Sequence, residues 1–426
     1  MTNLNEVVSS AESPYQNCPI WALGAIFASP SSDGRLPGFT GFDGAADIVA
    51  ATDSAAKDDR NPHFNTISVI FSLSSVLKIV NPLEKLYSFG NSLHRRMTRS
   101  VRIPGAKILS IGNITTGGTG KTPATIYFSK LLRAEFPNQA VLSRGYGGRL
   151  SHETNLLSDG FRLLMGSDDS GDEPYLMAVN LPGVKVAVGR NRLKNAQRLV
   201  HDFGTSLFLL DDGFQHYRIG RDADVVLIDV TNPFGSGRLL PQGILREPVE
   251  NLNRASAIVL TKTDLVPLTA LEELREKLQK ISGLSHIFIS RHASKGLVKI
   301  PHEYTPQAKT HIVSADILKH ESVWALSAIA NSRAFEEMLR RAGAESVTQI
   351  SFRDHHDFSA RDIEMILSRV KPYDLVVTTE KDYVRLRKHM DALKGLRQFY
   401  YLKIEFEVLE NEILLKEGLK ARLMNV

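Results

Sequence analysis

The chain is nearly without cysteine: Cys18 stands alone in 426 residues. That excludes an internal disulfide framework and fits a reducing cytosol. Cys18 lies in a segment with little structural signal and reads as a passive residue, not a nucleophile. Long apolar runs are also missing. The most apolar N-terminal stretch is cut by Lys78 and Pro82, well short of the roughly 20 residues that span a bilayer. Residues 1–62 have no basic segment followed by an apolar run, which excludes a secretory leader. Asp33, Asp43, Asp47, Asp53, Asp58 and Asp59 argue against a transit peptide as well. There is no internal repeat at solenoid periods. Acid, finally, is absent from Lys85 to Ala134, where Lys85, Arg95, Arg96, Arg99, Arg102, Lys107, Lys121, Lys130 and Arg133 all fall. Such a block suits an anionic partner (phospholipid headgroups, a phosphorylated substrate or nucleic acid) or is an ordinary solvated basic face.

What is present is a globular composition, 42% hydrophobic and 23% charged with a net charge of +5. The length allows one large domain or two ordinary ones. Residues 1–62, rich in Ser, Ala, Gly, Pro and Asp, read as a poorly ordered extension. In residues 63–100, Ile70, Leu73, Leu77 and Val80 recur at helical spacing with Ser68, Ser72 and Ser75 opposite, and arginines follow. This pattern predicts an amphipathic helix lying in a membrane interface; packing on the protein's own core is the competing reading. Over residues 101–308, apolar runs such as AKILSIGN, SLFLLDD and ADVVLID alternate with helix-like segments, the signature of an α/β parallel sheet. Residues 309–426 repeat the alternation on a smaller scale and read as a second α/β domain.

SIGNITTGGTGKTPA, residues 110–124, places a glycine-rich loop between a strand and a helix, the context a phosphate-binding P-loop requires. The usual pattern has glycine six positions before the lysine, where Thr115 stands. Residues Thr115, Thr116, Gly117, Gly118, Thr119, Gly120, Lys121 and Thr122 are the expected ATP loop. Its backbone N–H groups and helix N-terminus would meet phosphate oxygens, Lys121 would reach the β- and γ-phosphates, and the Thr122 hydroxyl would ligate Mg²⁺. A P-loop also predicts a carboxylate at the end of a neighbouring buried strand, and LFLLDDGFQH supplies Asp211 and Asp212, one of which should hold Mg²⁺. TKTD at 261–264 is similar to a base-reading motif of GTPases, but three-residue matches arise easily by chance.

GNITTGGTGKTP, LSRGYGGR (142–149), GDEPYLMA (171–178), VAVGRNR (186–192), DDGFQH (211–216), LLPQGILREP (239–248), FRDHHDF (352–358) and TTEKD (378–382) occur in this order. The set resembles the tetraacyldisaccharide 4'-kinase (lipid A 4'-kinase) family from about residue 66 onward. The resemblance implies a P-loop kinase that uses ATP and Mg²⁺ to phosphorylate the 4'-hydroxyl of tetraacyldisaccharide 1-phosphate in lipid A biosynthesis. It would work at the cytoplasmic face of the bacterial inner membrane, with the lipid surface and not nucleic acid as its large partner. It also implies that Asp172 is the catalytic base, that His355 (or His356, which sequence does not separate) pairs with it, and that Asp211 and Asp212 bind Mg²⁺. Glu173 would stand in the metal shell. Arg192, Arg246 and Glu247 lie in motifs expected to face substrate or phosphates, Glu247 being a further metal candidate. Arg144 and Tyr146 are candidate pocket residues. A planar guanidinium suits phosphate because its fork grips two oxygens; a surface salt bridge is the plain alternative for Arg192. Lys381 receives no role. The competing functional readings are a partitioning or metallochaperone-type P-loop ATPase or GTPase switch, and a binding protein that has lost catalysis.

Overall fold

A computed structural model describes residues 83–301 and 311–424. The described residues fall into two compact units, residues 83–97 with Ser236–Ile244, and residues from Thr98 to Gly235 with those from Leu245 onward. In the first unit, residues 83–97 are helical, and Glu84 accepts a hydrogen bond of 2.8 Å from the backbone of Leu239. Tyr87 is buried, whereas Leu86, Phe89, Leu93 and Met97 are exposed, Phe89 by 64% and Met97 by 76%. Their spacing of three, four and four residues puts them on one helix face. The helical pattern expected from Ile70 to Val80 lies outside the described residues, as do residues 1–62.

The second unit is built on one thirteen-stranded sheet, ordered β11-β10-β12-β13-β8-β7-β6-β1-β5-β2-β4-β3, with β9 (Ile312–Val313) beside β8. Its first block contains β1 (Lys107–Gly112), β2 (Gln139–Ser143), β3 (Asn155–Ser158), β4 (Lys185–Val188), β5 (Leu207–Asp211), β6 (Ala223–Asp229) and β7 (Ala257–Thr261). All pair in parallel except β3 with β4. The second block contains β10 (Ser322–Ser327), β11 (Ser346–Ser351) and β12 (Leu375–Thr379), again parallel. Two long strands, β8 (Phe288–Lys299) and β13 (Gln398–Val408), run antiparallel to each other and join the blocks.

The apolar runs take this form because both sheet faces are covered. On β1, Leu109 and Ile111 enter one core with Phe128, Val141, Leu209 and Val225, while Ile108 enters another with Leu142, Phe208 and Leu210. That is the period-two alternation of a strand buried on both sides. The second block repeats it, with Val376 facing one core and Leu375 and Val377 the other. Helices α1 (Lys121–Leu131), α2 (Asp172–Asn180), α3 (Arg192–Phe203), α4 (Leu268–Ser282), α5 (Ser332–Arg341), α6 (Ala360–Arg369), α7 (Glu380–Leu386) and α8 (Glu412–Met424) connect or follow the strands.

The chain crosses residue 308 in both directions. Phe406 of β13 and Leu415, Leu419 and Leu423 of α8 belong to the first block's core, and Leu297 and Val298 of β8 to the second block's cores. Apolar periodicity reports which residues are buried, not against which block.

Candidate active site

Parallel strands deliver their C-terminal loops to one edge, where α/β proteins bind ligands. Because Ile111 of β1 lies beside Asp211 of β5, the glycine-rich loop and the Asp211–Asp212 turn leave the sheet together. The loop is stitched rather than loose. Thr115, at the position where glycine was expected, is buried and forms an antiparallel bridge with Leu245, and the Arg246 N–H donates to the Ile114 carbonyl at 2.8 Å. A strand-like residue needs no glycine there. Gly117 and Gly120 do adopt positive φ, 108° and 83°, which glycine tolerates without cost. Asn113, which no motif singled out, knots the loop from inside. Its Nδ2 donates to Thr119 Oγ1 at 3.0 Å, and its Oδ1 accepts from Lys121 Nζ at 3.4 Å.

The two aspartates differ sharply. Asp212 accepts from Arg246 Nη1 at 2.9 Å through both oxygens, and Lys121 Nζ lies 3.7 Å away. Burial alone would raise its pKa, but Lys121 and Arg246 outweigh that and hold the carboxyl below the usual range. Among the described residues, the hydrogen-bond partner of the Asp211 carboxylate is the Ser143 hydroxyl, 2.9 Å from Oδ2. Burial, with Glu173 and Asp212 nearby, pushes its pKa to about 7. This is an excess of negative charge that a divalent cation beside Asp211 and Glu173 would relieve. Among the described residues no three His, Cys, Asp or Glu side chains are gathered so as to hold a metal ion. Both oxygens of Asp212 are held by Arg246. Glu247 is buried, with Oε1 accepting from Gln215 at 2.7 Å and Oε2 from Asn251 at 2.9 Å and Arg254 at 2.7 Å. In this arrangement Glu247 anchors Gln215, Asn251 and Arg254.

Arg192 is buried at the start of α3, and its Nη1 donates to the backbone carbonyls of Asp211 at 2.8 Å and Asp212 at 3.4 Å. In this way it holds the acidic turn. Arg144 is half-buried, within the field of Arg190, Asp212 and Arg246, and burial lowers its pKa. Its loop is pressed on the segment before α2: a Cβ at Gly148 would come within 2.5 Å of the Asp169 carbonyl, and one at Gly171 within 2.5 Å of the Tyr146 carbonyl. Tyr146 itself is exposed and stands edge-on to His355, ring centroids 6.0 Å apart.

Asp172 and Glu173 open α2, where acids complement the helix dipole. His355, in left-handed conformation at φ 58°, places Nδ1 3.8 Å from Asp172 Oδ2. His356 does not approach Asp172. Its Nε2 lies 3.0 Å from Asp362 Oδ2 in the capping box of α6, and its ring stacks on Phe352 at 4.7 Å. Of the two histidines, His355 is the one beside Asp172. The contact with Asp172 runs through a residue that sequence reasoning missed, Arg385 of α7. Its Nε donates to Asp172 Oδ2 at 2.5 Å, and Nη2 lies 3.1 Å from His355 Nδ1. Burial works to raise the Asp172 pKa, but His355 and Arg385 prevail and lower it. Lys381, without a role in the sequence reading, sits 3.3 Å from Glu173 Oε1 and 3.1 Å from His355 Nε2. In TKTD, Lys262 pairs with Asp229, and Asp264 lies 3.3 Å from Arg341.

The sequence model of the family LpxK, Tetraacyldisaccharide-1-P 4'-kinase, matches residues 76–424. A tetraacyldisaccharide 4'-kinase from Halothermothrix orenii is 37% identical over 352 residues, covering 80% of this chain and 90% of that protein. One from Desulfatibacillum aliphaticivorans is 40% identical over 287 residues, covering 66% and 74% respectively. Among solved structures, the "apo" form of LpxK from Aquifex aeolicus in complex with ATP aligns with a TM-score of 0.61 and 28% identity, over 82% of this chain and 99% of that one.

Proposed function

This chain belongs to the LpxK family of tetraacyldisaccharide-1-phosphate 4'-kinases, and on that premise we propose that it transfers the γ-phosphate of ATP to the 4'-hydroxyl of tetraacyldisaccharide 1-phosphate. The product is the bis-phosphorylated lipid A precursor. The observation that carries the reading is the meeting of two loop sets at one edge. Glu173, beside Asp172, lies close enough to Asp211 for its charge to raise the Asp211 pKa, which supports taking the proposed base and the phosphate loop as parts of one site.

In this reading the phosphate loop and Lys121 bind the triphosphate, and Arg246 and Arg144 offer guanidinium groups to its oxygens or to the substrate's phosphate. Asp172 accepts the 4'-hydroxyl proton as the sugar oxygen bonds to phosphorus and the bond to the β-phosphate oxygen breaks. Mg²⁺, when bound by Asp211 and Thr122 with Glu173 nearby, would neutralise charge on the transferred group. Phosphoryl transfer asks little covalent chemistry of the protein, so positioning and charge compensation dominate. The exposed apolar face of the 83–97 helix, with Arg95, Arg96 and Arg99 beside it, suits an enzyme whose acyl-chain substrate resides in a membrane. We place it at the cytoplasmic face, where ATP is found.

The test is transfer of labelled γ-phosphate to purified tetraacyldisaccharide 1-phosphate in detergent micelles with Mg²⁺, wild type beside Lys121→Ala. A doubly phosphorylated lipid from wild type, reduced by roughly 10³-fold or more in the variant, is expected. ATP consumption without lipid product by folded wild type would instead mark a switch ATPase.

A further inference from the structure

We infer that Arg385 is a positioning residue for phosphoryl transfer, a guanidinium fork that holds Oδ2 of Asp172 and Nδ1 of His355 together and leaves Oδ1 of Asp172 as the oxygen open to the acceptor hydroxyl. The inference rests on the kinase reading above and adds to it a part of the machinery from the far half of the chain.

Every nitrogen of the guanidinium is committed. Nε donates to Asp172, Nη1 to the Ala328 carbonyl and to Asp382 Oδ1, both at 3.1 Å, and Nη2 meets His355. Asp382 is fully buried and is itself held by the Ala328 N–H at 2.9 Å and the Thr379 hydroxyl at 2.7 Å. The order of support is therefore the end of β12, then Asp382, then Arg385, then Asp172 with His355. A side chain only 5% exposed and fixed at each arm has little rotamer freedom left, so it transmits the position of α7 to α2.

The separation between His355 Nδ1 and Asp172 Oδ2 is 3.8 Å, longer than a hydrogen bond, whereas Arg385 reaches both atoms. Asp172 and His355 are thus two arms of one Arg385-centred group. The ion-pair and hydrogen-bond contacts of Asp172 fall on Oδ2, which leaves Oδ1 for substrate. Lysine at 385 would keep the charge but, with a single point of donation, could not bridge both partners.

The experiment compares Arg385→Ala and Arg385→Lys with wild type, reading kcat and the KM for ATP and lipid separately, with and without millimolar guanidinium chloride. For Arg385→Ala the expected result is a fall in kcat of about 10²-fold with the KM for ATP unchanged, and recovery of about tenfold on adding guanidinium, whose planar donors refill the gap. Arg385→Lys should stay at least about tenfold below wild type while melting at the same temperature. Wild-type kcat in either variant would overturn the inference, and so would a folded Arg385→Ala that guanidinium fails to rescue. Should Arg385→Ala not fold, Arg385→Lys decides alone. Wild type that makes no phosphorylated lipid would instead sink the kinase reading before any variant is compared.

Discussion

Asp211 and Asp212 end a buried strand; Asp172 and Glu173 begin a helix. As sequence the two pairs look alike, adjacent acids beside glycine. In the first, Lys121 and Arg246 both converge on Asp212, and Asp211 is left with a serine hydroxyl. In the second, each acid has its own cation, Arg385 for Asp172 and Lys381 for Glu173, both from α7. The first pair is locally unbalanced, an arrangement that the proposed Mg²⁺ would offset. The second is balanced, but by residues more than 200 positions away, so its geometry exists only when the α7 and α2 segments are docked. Metal dependence and docking dependence should therefore separate by mutation.

The largest effect should come from the unbalanced side. Asp211→Asn removes the charge that suits Mg²⁺ while keeping an acceptor for Ser143, and lipid phosphorylation should fall roughly 10²–10³-fold. Mg²⁺ should raise the melting temperature of wild type, and the same change should abolish that rise, since an ion that no longer prefers the folded state cannot stabilise it. Asp212, already neutralised, should matter more for holding Arg246. A variant series in which Asp212→Asn loses the Mg²⁺ response and Asp211→Asn keeps it would reverse the assignment of the pair.

On the balanced side the neighbouring histidines offer a sharper cut. His355→Ala removes a partner of Arg385 and Lys381 and should lower kcat by about 10- to 100-fold. His356→Ala removes a ring stacked on Phe352 and bonded to Asp362, and should leave kcat within about twofold while costing roughly 1 kcal/mol of stability. Steady-state assays and thermal melts of the two proteins decide it; equal kinetic losses would mean that the fold does not distinguish them.

These contrasts also mark what could be read in advance. The strand order around the phosphate loop was legible, because KILSIG and LFLLD are continuous apolar runs and doubly covered parallel strands must be. Asp172 and His355 were legible only through motif resemblance, since a lone acid at a helix start and a loop histidine carry no periodic signal. Arg385 was invisible: nothing in its spacing from Asp172, 213 residues away, encodes their contact. For Arg192 and Glu247 the residue type leaves two roles open. Arginine and glutamate in a site motif serve equally as ligands to phosphate or metal and as buried anchors of backbone and neighbouring side chains, and only burial and the partner list tell which. The division at residue 308 had the same weakness, because Phe406 and α8 are apolar in a pattern that either core would accept.

A further effect lies beside the phosphate loop, away from the Asp172 side. His292 of β8 packs on the phosphate loop so closely that a Cβ at Gly120 would lie 2.5 Å from its Nε2, and that nitrogen is buried without a hydrogen-bond partner. Burial, aided by Lys262 and opposed by Asp264 and Asp229, lowers the His292 pKa from 6.5 to about 4. The unfolded chain therefore takes up this proton first, and the stability that His292 contributes is complete above pH 6.5 and lost as pH falls toward 4. Its size is at most about 3 kcal/mol, and it is felt at the loop because an imidazolium there would face the positive end of α1. His292→Asn should flatten that part of the pH–stability curve between 7 and about 4.5 and leave the rest of the acid transition in place. Parallel curves for wild type and variant across that range would show that His292 is already solvated when the protein is folded, and the phosphate loop would then owe its acid sensitivity to the carboxylates alone.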